Sequence, residues 1–320
     1  MKPNPRRDQR AADRCPNATA SLEPRARLGT NGATKAEGTV DVTVKKTKSL
    51  HKEGCVVSGV EITNSRSMMF FATASSAGQI TRIDSPNLTS LGASTGQALA
   101  VDSFGNTYIA GRFTGRLSIG TKQFTDADGF ADVYLVKYDA SQQLQWAIVA
   151  RSEGPCTLRG IAVDDLGNCF LTGGFSTALT WGTTRLQNTS TNNAQDFYLM
   201  KCDSAGVVRW ARSGGGPGIE SGAGVTVDSL GYSYVIGDIG SGARFASVLF
   251  QSSGILLAKY DPQGELAWAR TVSTLGDHVA HGIARDGVGN VYGTASSTLS
   301  ASDRAGSALE LPRTSRRFGL

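Results

Sequence analysis

One phrase occurs several times along this chain at a nearly constant spacing. AVDSFGNTYIAG at 100–111 returns as AVDDLGNCFLTG at 162–173. Its aspartate recurs at Asp102, Asp164, Asp228 and Asp286. A chain that repeats one unit at such a regular period folds as a series of equivalent supersecondary units. This repeat constrains the fold more than any other feature of the sequence.

Two further markers repeat in step with the first. A Lys-Tyr-Asp or Lys-Cys-Asp triplet begins at Lys137, Lys201 and Lys259. A Trp-Ala pair follows each triplet, at Trp146, Trp210 and Trp268. The tryptophan follows the lysine at the same distance in all three copies. The constant spacing indicates one module repeated as a unit.

Each module is predicted to contain four short β-strands. In the first module these are ALAVD, TYIAGRF, DVYLVKYD and LQWAIVA, which are rich in β-branched and aromatic residues. The DxxGN junctions predict hairpin turns, in which Asp accepts backbone hydrogen bonds and Gly supplies a positive φ. Radially repeated four-stranded sheets are the blades of a β-propeller. The predicted fold is therefore all-β, a β-propeller with one four-stranded blade in each repeat.

The repeated phrases resemble a known repeat family. GIAVDDLGNCFLTG, DVYLVKYDASQQLQWA and GILLAKYDPQGELAWAR are similar to the bacterial SBBP repeat over residues 96 to 295. This resemblance implies a β-propeller and a bacterial surface or extracellular location. It brings no catalytic motif. Residues 1–20 contain no apolar stretch of the kind that a signal peptide needs, which disfavours export.

Three complete modules are fewer than the four to eight blades of a typical propeller. After Trp268 the chain supplies only a first and a second strand, whereas MMFFATASSAGQITRI at 68–83 matches a degenerate third and fourth strand. We expect these halves to pair as a composite fourth blade, which would remove two open sheet edges. The alternative is an open arc or a fragment of a larger propeller.

The segments outside the repeats are assigned by composition. Residues 1–40 are predicted to be a disordered basic segment. Residues 41–65 stay unassigned, with part of a degenerate blade as the alternative. Residues 66–300 hold the propeller repeats, and residues 301–320 form a polar and basic tail.

Charge and cysteine content exclude several classes of function. Residues 1–54 carry a net charge of +6 and the rest of the chain sums to −1, so the repeats offer no basic surface for nucleic acid. No apolar run is long enough for a membrane-spanning helix. The five cysteines lack zinc-ligand spacing and are expected to be free thiols: Cys15, Cys55, Cys156, Cys169 and Cys202.

A binding surface is expected on the face that carries the long connections. The first-to-second and third-to-fourth turns are short and uniform, whereas the second-to-third connections and the links between modules are longer and vary. Variable loops on a rigid scaffold are common places for recognition. The polar residues expected on this face are Arg159, Glu220, Asp277, His278 and His281.

Several motifs that suggest chemistry have structural explanations. GASTG at 92–96 matches a nucleophile elbow around Ser94, but a strand follows it where the motif needs a helix. GGGPGIESGAG at 214–224 lacks the ending of a phosphate-binding loop and is predicted to be a link between modules. The repeated aspartates fit turn capping better than calcium binding, and the repeated tryptophans fit packing between blades.

The resulting hypothesis is a non-enzymatic propeller scaffold for binding or structural display. No catalytic residues, metal or cofactor are assigned, and the expected partner is a protein or a carbohydrate. One alternative is a hydrolase or lyase that uses the five polar residues named above at the channel mouth. A second alternative is a truncated repeat fragment without activity of its own.

Overall fold

The fold is described here from a computed structural model, which covers residues 55–56, 67–74, 80–190, 192, 194–273 and 277–297. Every regular element in these ranges is a β-strand, and every ladder is antiparallel. The prediction of an all-β chain is confirmed. The predicted segments 1–40 and 301–320 lie outside the described residues, as does all of 41–65 except Cys55–Val56.

The strands follow the predicted modules. The N-terminal strands are β1 (Cys55–Val56), β2 (Ser67–Ala74) and β3 (Ile80–Leu91). The first module contains β4 (Ser94–Val101), β5 (Thr107–Phe113), β6 (Arg116–Ile119), β7 (Lys122–Thr125), β8 (Asp132–Tyr138) and β9 (Leu144–Ser152). The second contains β10 (Cys156–Val163), β11 (Cys169–Phe175), β12 (Ala178–Trp181), β13 (Thr184–Gln187), β14 (Asp196–Cys202) and β15 (Val208–Gly214). The third contains β16 (Ser221–Val227), β17 (Ser233–Ile239), β18 (Arg244–Phe245), β19 (Val248–Leu249), β20 (Gly254–Tyr260) and β21 (Leu266–Ser273), and a half-module contains β22 (His278–Arg285) and β23 (Val291–Ser297).

Each complete module forms a four-stranded meander. The strand orders are β4-β5-β8-β9, β10-β11-β14-β15 and β16-β17-β20-β21. The predicted first, second, third and fourth strands therefore lie side by side in chain order. The half-module forms a two-stranded sheet of the same kind.

The second-to-third connections contain a hairpin that the sequence pattern does not predict. In the first module β6 and β7 form this hairpin, and β6 pairs with β3. In the second module β12 pairs in the same way with β9, the fourth strand of the module before it. In the third module β18 meets the end of β15 through one bridge, between Gly215 and Arg244. The first two hairpins thus extend the sheet of the strands that precede their module, whereas the third forms a separate two-stranded sheet.

Neighbouring modules also meet through their first strands and share apolar cores. A Cβ added to Gly160 on β10 would lie 2.9 Å from the Cα of Gly224 on β16, so these two strands approach closely. One core cluster joins the first and second modules, and a second cluster joins the second and third. The stacked sheets bury large side chains that include Tyr108, Phe170 and Phe197. This shared burial is the main force that holds successive modules together.

The repeated aspartates cap the first-to-second turns, as predicted. Asp164 Oδ1 accepts hydrogen bonds from the amides of Leu166 and Asn168, and its Oδ2 accepts one from Asn168 Nδ2. Asp102 and Asp286 make the same set of contacts, and Asp228 makes the two amide contacts. The glycine of each turn has a positive φ, for example 76° at Gly167.

The two ends of the described chain do not share a sheet. Strands β2 and β3 pair antiparallel with each other, as expected for a degenerate third and fourth strand, and they join β1, β6 and β7 in one sheet. Strands β22 and β23 pair only with each other among the described residues. The predicted ladder between the N-terminal strands and the C-terminal half-module is therefore not seen in this part of the chain.

Candidate functional site

A cleft lies between the second and third modules. Its volume is about 420 Å³, within the range of small-molecule sites. It is bordered by the link after β15 and by the hairpin of the third module, two segments that belong to the connections expected to form the binding face. The residues that line it are Thr189, Asp196, Ser213, Gly214, Gly215, Gly216, Pro217, Gly242, Arg244 and Ala246.

Three of these residues form a row across neighbouring strands. Phe197 on β14 pairs with Gly214 on β15, so Asp196 lies opposite Gly215 at the next position. Gly215 and Arg244 exchange two backbone hydrogen bonds, of 3.1 and 2.8 Å. Residues that lie opposite each other in antiparallel strands point to the same face of a sheet. Asp196 and Arg244 therefore flank Gly215, and the Asp196 carboxylate lies over Gly215, where an added Cβ would be 2.1 Å from the carboxylate carbon.

In the equivalent row one module earlier, the middle position is occupied by an arginine. Val133 pairs with Ala150, which places Asp132 opposite Arg151. Arg151 in turn pairs with Thr180 on β12, in the hairpin of the second module. Arg151 thus occupies the middle position that Gly215 occupies in the next row. The hairpin of the second module also pairs with β9 along a short ladder, whereas the hairpin of the third module contacts β15 through one bridge. The glycines and the shorter contact together open the cleft.

Asp196 is fully buried at the edge of this cleft. Its Oδ2 accepts hydrogen bonds from the amide and the hydroxyl of Thr189, at 2.7 and 2.8 Å. Its Oδ1 has no hydrogen-bond partner within the described structure. Burial raises the pKa of Asp196 above its usual value, although the contacts from Thr189 and the nearby Gly216 amide oppose this rise. A buried carboxylate oxygen without a partner is costly and is expected to attract a donor.

Glu220 does not line the cleft, but its carboxylate accepts a hydrogen bond from the amide of Gly216, which does. It is fully buried, with Oε2 accepting from the Gly216 amide and Oε1 accepting from the Gly240 amide, both at 3.0 Å. Burial raises the pKa of Glu220 to about 7, and the charge of Asp196 adds to the rise. The side chain joins the module link to the connection that follows β17. The sequence pattern predicts Glu220 on the binding face, and the structure places it in the interior.

Arg159 and His281 occupy the same position of the repeat. Each first strand has a β-bulge that adds one residue, and the added residues are Gln97, Arg159, Ala223 and His281. Arg159 forms a 3.2 Å ion pair with Asp238 on β17. The Nε2 of His281 lies 3.0 Å from Ser296 Oγ on β23. Both side chains are engaged with the second strand of a module.

The remaining two predicted residues begin the half-module. Asp277 is exposed, and His278 is half-buried at the repeat position that Glu220 has in the third module. The Nδ1 of His278 is buried without a hydrogen-bond partner in the described structure. No hydrogen bond joins any two of Arg159, Glu220, His278 and His281 among the described contacts. The structure thus does not bring these four together as a hydrogen-bonded set.

Two sequence motifs are placed as expected. GASTG leads into β4, so Ser94 begins a strand, and its side chain is buried. The glycine-rich segment at 214–224 leads into β16 and links two modules. The motif alone does not reveal that its glycines form the floor of a cleft. Aligning Gly214–Gly216 with Ala150–Ser152, one repeat earlier, shows the loss of Arg151 and is the signal that the sequence offers.

Neither a metal centre nor a spanning helix is found in the described part of the chain. Within these ranges, no three His, Cys, Asp or Glu side chains are grouped in a way that could hold a metal ion. The same ranges contain no helix that is long and apolar enough to cross a bilayer. Cys156, Cys169 and Cys202 are free buried thiols, as predicted. Comparison with protein-family models and with curated proteins finds no match to this chain.

Proposed function

We propose that the chain is a β-propeller of the SBBP type and acts as a non-enzymatic binding scaffold. The observation that carries this proposal is a contact that recurs between successive modules. Trp146 on β9 donates from Nε1 to the carbonyl of Ser204 in the second module, at 2.8 Å. Trp210 on β15 donates in the same way to Pro262 in the third module, at 3.0 Å.

A lysine accompanies each tryptophan in this contact, which we call the Trp–Lys latch. Lys137 Nζ lies 3.4 Å from the Ser204 carbonyl, and Lys201 Nζ lies 3.4 Å from the Pro262 carbonyl. Each latch joins the third and fourth strands of one module to the third-to-fourth turn of the next. A latch that has the same geometry at each step favours a regular rotation from blade to blade, as in a propeller.

The third latch has its donors but no acceptor within the described residues. Lys259 and Trp268 occupy the same positions in the third module, and Lys259 Nζ lies over the ring of Tyr232 at 4.2 Å. The next third-to-fourth turn would belong to the fourth blade. SSAG at 75–78 matches DSAG at 203–206, two repeats further along the chain. We propose that the N-terminal strands β2 and β3 complete the fourth blade and that this blade supplies the acceptor of the third latch.

Matched tryptophan substitutions test closure. Trp146→Phe and Trp210→Phe each remove one hydrogen bond and keep an aromatic ring, so each is expected to lower the free energy of unfolding by about 1 kcal/mol. Trp268→Phe is expected to have the same effect if the ring closes. Urea unfolding of the full chain measures all three, and light scattering after size exclusion gives the mass.

The outcomes separate the alternatives. A monomer in which Trp268→Phe costs as much as Trp210→Phe supports the closed four-blade scaffold. A monomer in which Trp268→Phe costs nothing indicates an open arc. A dimer in which Trp268→Phe weakens association indicates that a second copy supplies the acceptor turn.

The scaffold proposal puts ligand binding on the side of the module links and docked hairpins. These segments form the described cleft, whereas the opposite turns are short and capped in the same way in every module. A protein or a carbohydrate remains the class of partner proposed for the wider face, with a bacterial surface as the proposed location. Binding of a labelled glycan array by the full chain, compared with the chain unfolded in urea, tests the carbohydrate part of this proposal.

A further inference from the structure

The row formed by Asp196, Gly215 and Arg244 has opposite charges at its two ends, and both charged residues line the cleft. Adjacent strands lie about 4.8 Å apart, so the Cα atoms of Asp196 and Arg244 are separated by roughly 10 Å across Gly215. Neither residue forms an ion pair among the described contacts. Arg244 is exposed at the mouth, and Asp196 is buried at the inner wall.

Comparison with the equivalent row of the preceding module indicates that a positive charge is missing beside Asp196. One module earlier, burial raises the pKa of Asp132, and this rise is opposed by the hydrogen bond from the Ser152 amide and, to a smaller extent, by the charge of Arg151. Gly215 replaces this arginine beside Asp196. The second row has therefore lost a cation that the first row supplies from within the chain. A ligand in the cleft can supply it, because Asp196 and Arg244 both line the cleft.

One oxygen of the Asp196 carboxylate, at the inner wall of the cleft, is buried without a donor in the described structure. Thr189 uses Oδ2 twice, which leaves Oδ1 without a donor in the described structure. A Cβ at Gly215 would collide with the Asp196 carboxylate, so no side chain of the protein could be placed here without displacing Asp196. An ammonium group can donate one hydrogen bond to Oδ1 and balance the buried charge.

We propose that this cleft binds a small zwitterion of the α-amino acid class. Its ammonium group donates to Asp196 Oδ1, and its carboxylate pairs with the Arg244 guanidinium at the mouth. This inference rests on the proposed binding function and names the ligand class of the same cleft. An amine alone would leave Arg244 unpaired and would bring a second cation near it, whereas a carboxylate alone would approach the buried Asp196 charge.

Ligand-observed NMR on the full chain tests this proposal, with the common L-α-amino acids added one at a time. The tightest binder is then titrated beside its two analogues, the amine without the carboxylate and the acid without the ammonium group. We expect the amino acid to bind at least about tenfold more tightly than either analogue, because each analogue lacks one of the two charge-assisted contacts. Binding of no amino acid, or equal binding of the amine, would overturn the proposal.

Two variants and a matched control assign the binding to this cleft. Asp196→Asn keeps an acceptor for Thr189 and is expected to weaken amino-acid binding about tenfold or more. Arg244→Gln is exposed and is expected to weaken binding of the amino acid and of the acid analogue. Asp132→Asn makes the same change at the equivalent position of the preceding module and should leave the affinity for the amino acid unchanged. Affinities of Asp196→Asn and Arg244→Gln that equal the wild-type value would contradict the assignment.

The solution mass and urea midpoint of the same samples distinguish this inference from the scaffold proposal. A compact monomer that binds no amino acid would remove the zwitterion site and leave the scaffold standing. Amino-acid binding by an open or dimeric chain would support the site and remove the closed ring. If Asp196→Asn fails to fold, Arg244→Gln decides the assignment alone, because its side chain contributes little to the core.

Discussion

The indole ring of Trp210 lies directly against Gly264 in the turn of the next module. A Cβ added to Gly264 would lie 2.6 Å from the ring, and the ring nitrogen of Trp210 donates to Pro262 in the same turn. Trp146 has the same relationship to Gly206, where the corresponding distance is 2.8 Å. The glycine therefore serves two purposes, since it permits the turn and leaves room for the neighbouring ring.

Gly264→Ala is predicted to be strongly destabilising because it affects both purposes. The φ of Gly264 is 83°, which costs an alanine about 1 kcal/mol, and the added methyl group would also push Trp210 away. We expect a loss of about 2–4 kcal/mol in the free energy of unfolding, measured in urea. Gly289→Ala is the control, because Gly289 has a φ of 93° but open space around its Cα. A similar loss at both glycines would show that the ring contact contributes nothing.

Gln142→Gly is predicted to stabilise the protein. Gln142 has a φ of 62° at the turn position where the later modules have Gly206 and Gly264. A left-handed backbone costs a non-glycine residue about 1 kcal/mol, and glycine removes that cost. We expect the urea midpoint to rise, whereas Ser141→Gly at the preceding position should lower it or leave it unchanged. A lower midpoint for Gln142→Gly would contradict this explanation of the turn.

Asp164→Ala is predicted to destabilise the first-to-second turn of the second module. It removes the acceptor for two backbone amides and for the Asn168 side chain, at distances between 2.7 and 3.0 Å. We expect a loss of about 2–3 kcal/mol in the free energy of unfolding. Asp165→Ala changes the exposed neighbour and should cost less than about 0.5 kcal/mol. Equal losses at the two positions would exclude capping as the role of Asp164.

The sequence predicted the parts of the fold that depend on local patterns. Strand order, the capping aspartates and the packing of Trp146 and Trp210 all follow from residues that recur at each period. The docked hairpins were missed because strands such as Arg116–Ile119 are very short and acquire a partner from another module. The cleft was missed for a related reason. It depends on Gly215 lying between Asp196 and Arg244, and this row exists only after three separate strands come together.

Stability is predicted to fall as the pH rises through the titration of Glu220. Burial raises the pKa of Glu220 from 4.5 to about 7, so the folded state keeps this proton at pH values where the unfolded chain has lost it. The folded protein therefore binds more protons than the unfolded chain between about pH 4.5 and 7, and linkage makes the free energy of unfolding decrease as the pH rises in this window. A pKa shift of this size corresponds to a change of at most about 3 kcal/mol in the free energy of unfolding.

The difference between the wild-type protein and Glu220→Gln isolates this contribution. Urea unfolding at several pH values from 4.5 to 7.5 should show a wild-type decline that the variant lacks in large part. The remainder is expected from Asp132, whose pKa burial raises to about 6, and from Asp196, whose pKa burial also raises. Glu153→Gln is the control, because Glu153 is an exposed partner of Arg185 whose hydrogen bond lowers its pKa. This control should keep the decline. If the free energy of unfolding falls with pH equally steeply in the wild-type protein and in Glu220→Gln, Glu220 does not hold its proton in the folded state.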